Sequence, residues 1–193
     1  MALSREGILK VFKDTGALLE GHFILTSGLH SDKYFQCAKV FQYPRHAEAL
    51  CREITARYRG KQIDVVVSPA VGGIVVGQEI ARLLGVRSIF TERVEGKMTF
   101  RRGFEIAPGE KALVAEDVTT TGGSVREVME AVREQGGVIV GVTGVVDRSG
   151  GKAEFGVPYF SLLKMDAVAN TPESCPLCRS GSIAVKPGSR GLK

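Results

Sequence analysis

The chain has 193 residues, 44% of them hydrophobic and 24% charged, with a formal net charge of +5. That balance is too apolar for a disordered chain and fits one domain with a full core, or a domain with a small elaboration. No run reaches the apolar length of a membrane span, and the Lys and Arg residues are scattered, which suits phosphorylated ligands better than a nucleic-acid groove.

At the N-terminus, MALSREGILKVF places Arg5 and Glu6 where a signal peptide needs an apolar core, so the expected compartment is cytoplasmic. SREGILKVFKDTGALL reads as a helix opening at Ser4, a residue type suited to the N-cap. In the next segment, LTSGLHSDKYF, Tyr34 and Phe35 taken alone read as core residues and His30 as a surface residue. Pro44 opens a second helix over RHAEALCREITARY, because its fixed φ suits a first helical turn.

From Ile63 onward, strand-length apolar runs alternate with helical patterns. IDVVVSP is a buried strand, GIVVGQEIARLLG a helix that stops at Gly85, and VRSIFTE and KALVAED are strands. SVREVMEAVREQGG, Ser124 to Gly137, is a helix, and VIVGVTGVVD a strand. This alternation predicts an α/β fold with a parallel sheet covered by helices. Beyond it, Pro158, Pro172, Pro176, Pro187 and many glycines mark a looser C-terminal end.

Of four cysteines, Cys37 and Cys51 read as small buried residues, and Cys175 and Cys178 form the close pair CPLC. A structural zinc site usually takes four ligands, and neither a second CxxC nor a nearby His completes one, so the pair reads as reduced thiols. A redox pair or a zinc shared between subunits are the alternatives.

ALVAEDVTTTGGS, Ala112 to Ser124, carries the most chemistry. In an open parallel sheet, ligands bind beyond the carboxyl ends of the strands, where Glu116 and Asp117 fall. Thr119, Thr120, Thr121 and Ser124 offer hydroxyls, while Gly122 and Gly123 let backbone N–H groups approach an anion at a helix start. Alone, the acids would read as solvated and TTTGGS as a cap and turn. Together they form a phosphate cradle whose acids point at donors such as vicinal hydroxyls or hydrated Mg²⁺. The pattern is neither a Gly-Lys-Ser/Thr phosphate loop nor GxGxxG.

Leu113 to Ser124 resembles the signature of the type I phosphoribosyltransferases, with one departure: Thr119 stands where an aliphatic residue is usual. The resemblance implies 5-phosphoribosyl 1-diphosphate as donor, Mg²⁺ as cofactor, and displacement of diphosphate by a nitrogenous base. It implies that Glu116 and Asp117 hold the ribose hydroxyls, and that Asp117, Val118, Thr119, Thr120, Thr121, Gly122, Gly123 and Ser124 wrap the 5′-phosphate. No side chain is implied as a direct metal ligand. The Mg²⁺ rests on the substrate's diphosphate and hydroxyls and, at most through water, on Glu116 or Asp117.

SPAVGGIVVG looks like the family's diphosphate loop, with Ala70, Val71, Gly72 and Gly73 presenting N–H groups; unaided, it reads equally as a strand–helix turn whose glycines serve packing. LTSGLHSDKYF is similar to the segment that lies over the pyrimidine in the orotate-using members, which implicates Ser27, Tyr34 and Phe35. ERVEGKMTFRRGF, otherwise a solvated hairpin, resembles their mobile catalytic loop, which reaches into the partner subunit's active site, and Lys97 takes the place of its essential lysine. Val94 and Thr99 stand where many members have a second lysine and a histidine, and Gly72 where some have a lysine, so Arg93, Arg101 and Arg102 are expected to share the leaving-group charge. Arg148, otherwise the partner of a neighbouring acid, matches with Thr120 the pair that recognises the carboxylate of orotate.

The resemblance thus implies one phosphoribosyltransferase domain over 1–193: an N-terminal hood over 1–40, an α/β core over 41–165 and a C-terminal extension over 166–193. A homodimer that makes orotidine 5′-phosphate for pyrimidine synthesis is the expectation. Alternatives are a purine phosphoribosyltransferase, a non-catalytic regulator that binds phosphoribosyl diphosphate, and a generic phosphosugar-binding module.

Overall fold

The computed structural model describes residues 3–25, 28–165 and 169–187. In chain order its elements are α1 (Arg5–Asp14), β1 (Leu18–Ile24), β2 (His30–Phe35), α2 (Ala38–Phe41), α3 (Pro44–Thr55), β3 (Val65–Pro69), α4 (Gly72–Leu84) and β4 (Arg87–Val94). They continue with β5 (Lys97–Phe100), β6 (Lys111–Thr119), α5 (Gly123–Glu134), β7 (Val138–Asp147), β8 (Tyr159–Lys164), β9 (Ala169–Asn170) and α6 (Pro176–Arg179).

Six strands form the central sheet in the order β5-β4-β3-β6-β7-β8, all parallel except β5, which returns antiparallel to β4. The α/β expectation holds, and the sheet is mixed rather than purely parallel. Its departure is a hairpin closed by Glu95 and Gly96, whose φ values of 48° and 89° match the twist of the flanking strands.

Side-chain alternation divides the core in two. Val66, Leu113 and Ala115 face a cluster with Phe12, Leu50, Ile54 and Ile80 from α1, α3 and α4. Val65, Val67, Ala112 and Val114 face the other side, against Val125, Val128, Met129 and Val132 of α5. Burying each of the larger of these side chains contributes about 1.5–3 kcal/mol, and a one-residue slip would turn every strand residue to the wrong face. The register that aligns the strand ends is therefore strongly specified.

Local signals set the helix ends. Ser4 caps α1 by accepting a 3.1 Å bond from the Gly7 N–H, and Gly85 ends α4 in the left-handed region at φ 73°. The helix expected from Ser124 begins one residue earlier, because Gly122 turns the chain at φ 78° and takes the cap position itself. It also ends at Glu134, three residues short of the expected Gly137.

β1, β2 and β9 form a separate antiparallel sheet. The C-terminal end read as loose from sequence is docked on it. Asn170 pairs with His30, the N–H of Ile24 donates to the Val185 carbonyl at 2.8 Å, and the N–H of Val185 donates to the His22 carbonyl at 2.9 Å. Among the described residues, no helix is long and apolar enough to cross a membrane.

Candidate active site

β3, β6 and β7 end side by side, and the candidate residues gather at those ends. Thr119 pairs with Asp147 across β6 and β7, and the Arg148 N–H donates to the Thr119 carbonyl at 2.7 Å. The strand register thus sets Arg148 beside the start of the threonine loop.

Glu116 is buried at 7% exposure and Asp117 half-buried. The carboxylates also shape their own backbone: Glu116 Oε1 accepts from the Asp117 N–H at 3.0 Å, and Asp117 Oδ1 from the Val118 N–H at 2.8 Å. Beneath them, the buried Cys37 Sγ lies 3.8 Å from the Asp117 carbonyl. Burial, with Asp117 and then Glu116 adding to it, pushes that thiol well up, so Cys37 is a neutral packing residue and no nucleophile.

The β3–α4 turn meets the same carboxylate. A Cβ on Gly72 would fall 2.7 Å from Asp117 Oδ2, inside contact distance, so glycine leaves room for the carboxylate in this position. The neighbouring glycines serve packing instead. A Cβ on Gly73 would press on Pro69, Ala115 and Ser68, and one on Gly77 would overlap the Ser68 hydroxyl. Both readings of SPAVGGIVVG therefore hold, on different residues. Ala70 is half-buried and Val71 is 82% exposed at the tip.

In the β6–α5 turn, Thr120 and Thr121 are exposed, and Gly123 and Ser124 half-buried. Gly122 brings no capping side chain, and the Gly123 N–H makes only a long 3.4 Å bond to Thr121 Oγ1. The first turn of α5 thus keeps donors for an anion. A Cβ on Gly122 would meet Phe155 at 2.8 Å, so this glycine is required by space as well as by φ. Thr119 is a correction: its side chain is 1% exposed, turned inward from the last strand position, and its hydroxyl is not among the loop's donors.

Arg148 is 8% exposed. Its Nη2 donates to Ser31 Oγ and the Lys33 carbonyl, both at a long 3.4 Å, and its guanidinium lies over the Phe35 ring at 5.9 Å. Among the described residues it forms no ion pair, so the bland reading of an acid partner is not met. Burial lowers its pKa, with Tyr34 and then Asp32 opposing. Burial likewise raises the Tyr34 phenol, chiefly against the pull of Arg148. Phe35 is corrected to the core reading: it is 5% exposed, packs edge-on against Phe12, and supports Arg148 from below. Tyr34, half-buried on the other face of β2, rests on Phe23. Ser27 lies outside the described residues.

The four basic residues of the hairpin are not brought to this site. The hairpin packs on α5, where Arg93 pairs with Glu127 at 2.7 Å. Arg102 clasps Glu92 with bonds of 2.9 and 3.0 Å. Lys97 lines a groove with Glu127, Glu130 and Glu134 of that helix. Arg101 is exposed. Ser31 falls within LTSGLHSDKYF, and the sequence reading gives it no role; the structure makes it a side-chain partner of Arg148.

A strand-end phosphate cradle beside a glycine loop on this sheet defines a phosphoribosyltransferase. The phosphoribosyl transferase domain matches residues 42–175, and the chain belongs to that family. Within it the chain belongs with the orotate phosphoribosyltransferases. That of Pelotomaculum thermopropionicum is 57% identical over 98% of this chain and 100% of its own length. That of Caldicellulosiruptor bescii is 54% identical over 97% of this chain and 99% of its own. The solved orotate phosphoribosyltransferase of Aeropyrum pernix superposes with a TM-score of 0.67 at 25% identity, covering 82% of this chain and 93% of the other.

Proposed function

We propose that this chain transfers the 5-phosphoribosyl group from 5-phosphoribosyl 1-diphosphate to orotate, giving orotidine 5′-phosphate and diphosphate for pyrimidine synthesis. The observation that carries the reading is Arg148: a buried guanidinium with no carboxylate partner among the described residues, beside the phosphate cradle and under the β1–β2 hood, is a receptor for a planar acid.

In this reading Thr120, Thr121, Gly122, Gly123 and Ser124 hold the 5′-phosphate, Glu116 and Asp117 the ribose hydroxyls, and Ala70 to Gly73 the diphosphate. Orotate lies against Tyr34 with its carboxylate on Arg148 and Thr120. Breaking the bond to diphosphate builds positive charge on the ribose and negative charge on the leaving group. Glu116 and Asp117 stabilise the first by their charge, which needs no reorganisation during the step.

Mg²⁺ is the expected cofactor, and the site's chemistry fits it. Asp117 turns a hard carboxylate oxygen, Oδ2, toward Gly72 of the diphosphate loop, and oxygen is the donor this ion takes. When bound, Mg²⁺ supplies charge neutralisation at the diphosphate. Lys97, with Arg101 and Arg102, covers the rest of that charge. The hairpin turns away from its own cradle, so we assign these residues to the active site of a second copy, and the working unit to a homodimer in the cytoplasm. Closure of the hairpin also excludes water from the reactive ribosyl centre.

The test is the ultraviolet absorbance of orotate incubated with the protein, 5-phosphoribosyl 1-diphosphate and Mg²⁺, with adenine, hypoxanthine, guanine and uracil in parallel. Loss of orotate alone, abolished by chelation, is the expected result. Consumption of a purine instead would overturn the role of Arg148, and donor binding without turnover of any base would overturn the enzyme reading.

A further inference from the structure

Apart from the cradle, one side-chain cluster is used by nothing described above. His22 on β1, His30 at the start of β2, Cys175 at the cap of α6 and Cys178 within it converge under the hood, with all four candidate ligand atoms within 4.8 Å of one another. Three of the four residues are buried, at 5%, 7% and 1% exposure for His22, His30 and Cys175. The sequence reading that no His completes a set around CPLC is corrected here. Strand pairing supplies two, from the far end of the chain.

The hydrogen bonding within the cluster does not balance. His22 Nδ1 lies 3.0 Å from the Ser182 carbonyl, which can only accept, so Nδ1 carries the proton and Nε2 presents its lone pair inward. Three groups crowd that lone pair: His30 Nδ1 at 2.8 Å, Cys175 Sγ at 3.5 Å and Cys178 Sγ at 3.7 Å. His30 Nδ1 is also 3.3 Å from Cys178 Sγ. One lone pair cannot serve all three neighbours, and the thiols are left with weak sulfur contacts in its place.

A cation at the centre removes the conflict, because all four atoms then act as lone-pair donors. Bonds to Zn²⁺ of about 2.0–2.1 Å from nitrogen and about 2.3 Å from sulfur put tetrahedral ligand atoms about 3.3–3.8 Å apart. Three nitrogen–sulfur separations, 3.3, 3.5 and 3.7 Å, already have that spacing; the two nitrogens, at 2.8 Å, must spread, and the cluster's 4.8 Å span must draw in. The Ser182 carbonyl is the outer partner that a ligating imidazole requires. Two soft sulfurs and two imidazoles in tetrahedral order select Zn²⁺ over Mg²⁺ or Ca²⁺.

We propose that His22, His30, Cys175 and Cys178 form a structural Zn²⁺ site that clips the C-terminal segment to the β1–β2 hood. The site is closed by four protein ligands, so its role is structural and not catalytic. It fastens residues up to 156 positions apart, and because the unfolded chain holds no such site, metal binding adds directly to folding stability. The proposal is independent of the reaction assigned above.

To test it, the full chain is purified in reducing buffer without chelator, and zinc per chain is measured by elemental analysis. One zinc per chain is expected in the wild type and none in Cys178→Ser. Exchange for Co²⁺ should give the visible bands of a tetrahedral ion with thiolate-to-cobalt charge transfer, and chelation should lower the Tm of the wild type. In case Cys178→Ser fails to fold, Cys178→His supplies the second reading. It should retain the metal and lose about half of the charge-transfer intensity, as one of two thiolates is gone. The proposal falls if the wild type holds no zinc and its cobalt form lacks the tetrahedral spectrum. Zinc retained in Cys178→Ser, or a Cys175–Cys178 disulfide in the purified protein, would also overturn it.

Discussion

The phosphate cradle and the four-ligand cluster are built in contrasting ways. The cradle runs through consecutive residues from Glu116 to Ser124, and a strand end, a glycine turn and a helix start give it its shape. The cluster draws on β1, β2 and α6, and its members meet only because β9 and Val185 pair the C-terminal segment with the hood. A site made by local backbone geometry carries its function in adjacent residue types. A site made by convergence carries nothing adjacent except CPLC, which alone is half a ligand set.

The contrast implies that variants around the cradle change kinetics, whereas those in the supporting frame change stability. The largest kinetic effect is expected from Lys97→Ala: turnover should fall about 10²–10³-fold with the donor's KM little changed, as for other groups that stabilise charge in the transition state. Steady-state kinetics with varied 5-phosphoribosyl 1-diphosphate checks this, and a raised KM with unchanged turnover would make Lys97 a simple binding residue.

Arg148→Ala should come next. Losing charged hydrogen bonds worth about 1.5–3 kcal/mol predicts a roughly 10- to 100-fold loss in kcat/KM for orotate, with donor affinity preserved. Isothermal titration with the donor alone separates the two. A donor affinity that falls equally would mean that Arg148 holds the cradle together rather than the base.

Gly72→Ala probes the approach of the two loops. Its Cβ would fall 2.7 Å from Asp117 Oδ2, so the Asp117 carboxylate must turn aside, and about a tenfold loss in kcat/KM is expected at an unchanged Tm. Gly77→Ala, five residues further along α4, should do the opposite. Crowding Ser68 inside the core should cost about 1–3 kcal/mol in urea unfolding and leave turnover per folded molecule intact. Equal kinetic damage from both would erase the division between loop glycine and packing glycine.

The smallest effect is expected at Arg87, which pairs with Glu110 at 2.6 Å far from the cradle. The Arg87 guanidinium holds the Glu110 carboxyl below its ordinary value. The folded state therefore binds that proton less readily than the unfolded chain. The stabilisation is present above the unfolded value of about 4.3 and is lost as the pH falls through the lower folded value. Arg87 is 44% exposed, so Arg87→Ala should cost under about 1 kcal/mol at pH 7, and progressively less as the pH falls below about 4.3.

How far the sequence was legible followed the same division. The strand over Val138–Asp147 and the helix opening at Pro44 matched the reading of their own residues, because apolar alternation and helical spacing are local properties. The acids, threonines and glycines of β6–α5 were legible for the same reason. Thr119 was not, because its residue type suits a loop and its strand position turns it inward. Phe35 was legible only as core, and the part it plays under Arg148 depends on β2 lying across the end of β7.

By itself, then, the sequence determined an α/β chain with acids, threonines and glycines gathered at a strand end and a glycine loop before it. Backbone conformation and burial within one element follow from neighbouring residues. Only the tertiary structure decided that Arg148 faces the hood with no ion pair among the described residues, that the basic hairpin lies on α5, and that two histidines meet CPLC. Those outcomes depend on which strands pair and which segments dock. That choice is made by burial summed over the whole chain, and no single stretch of residues contains it.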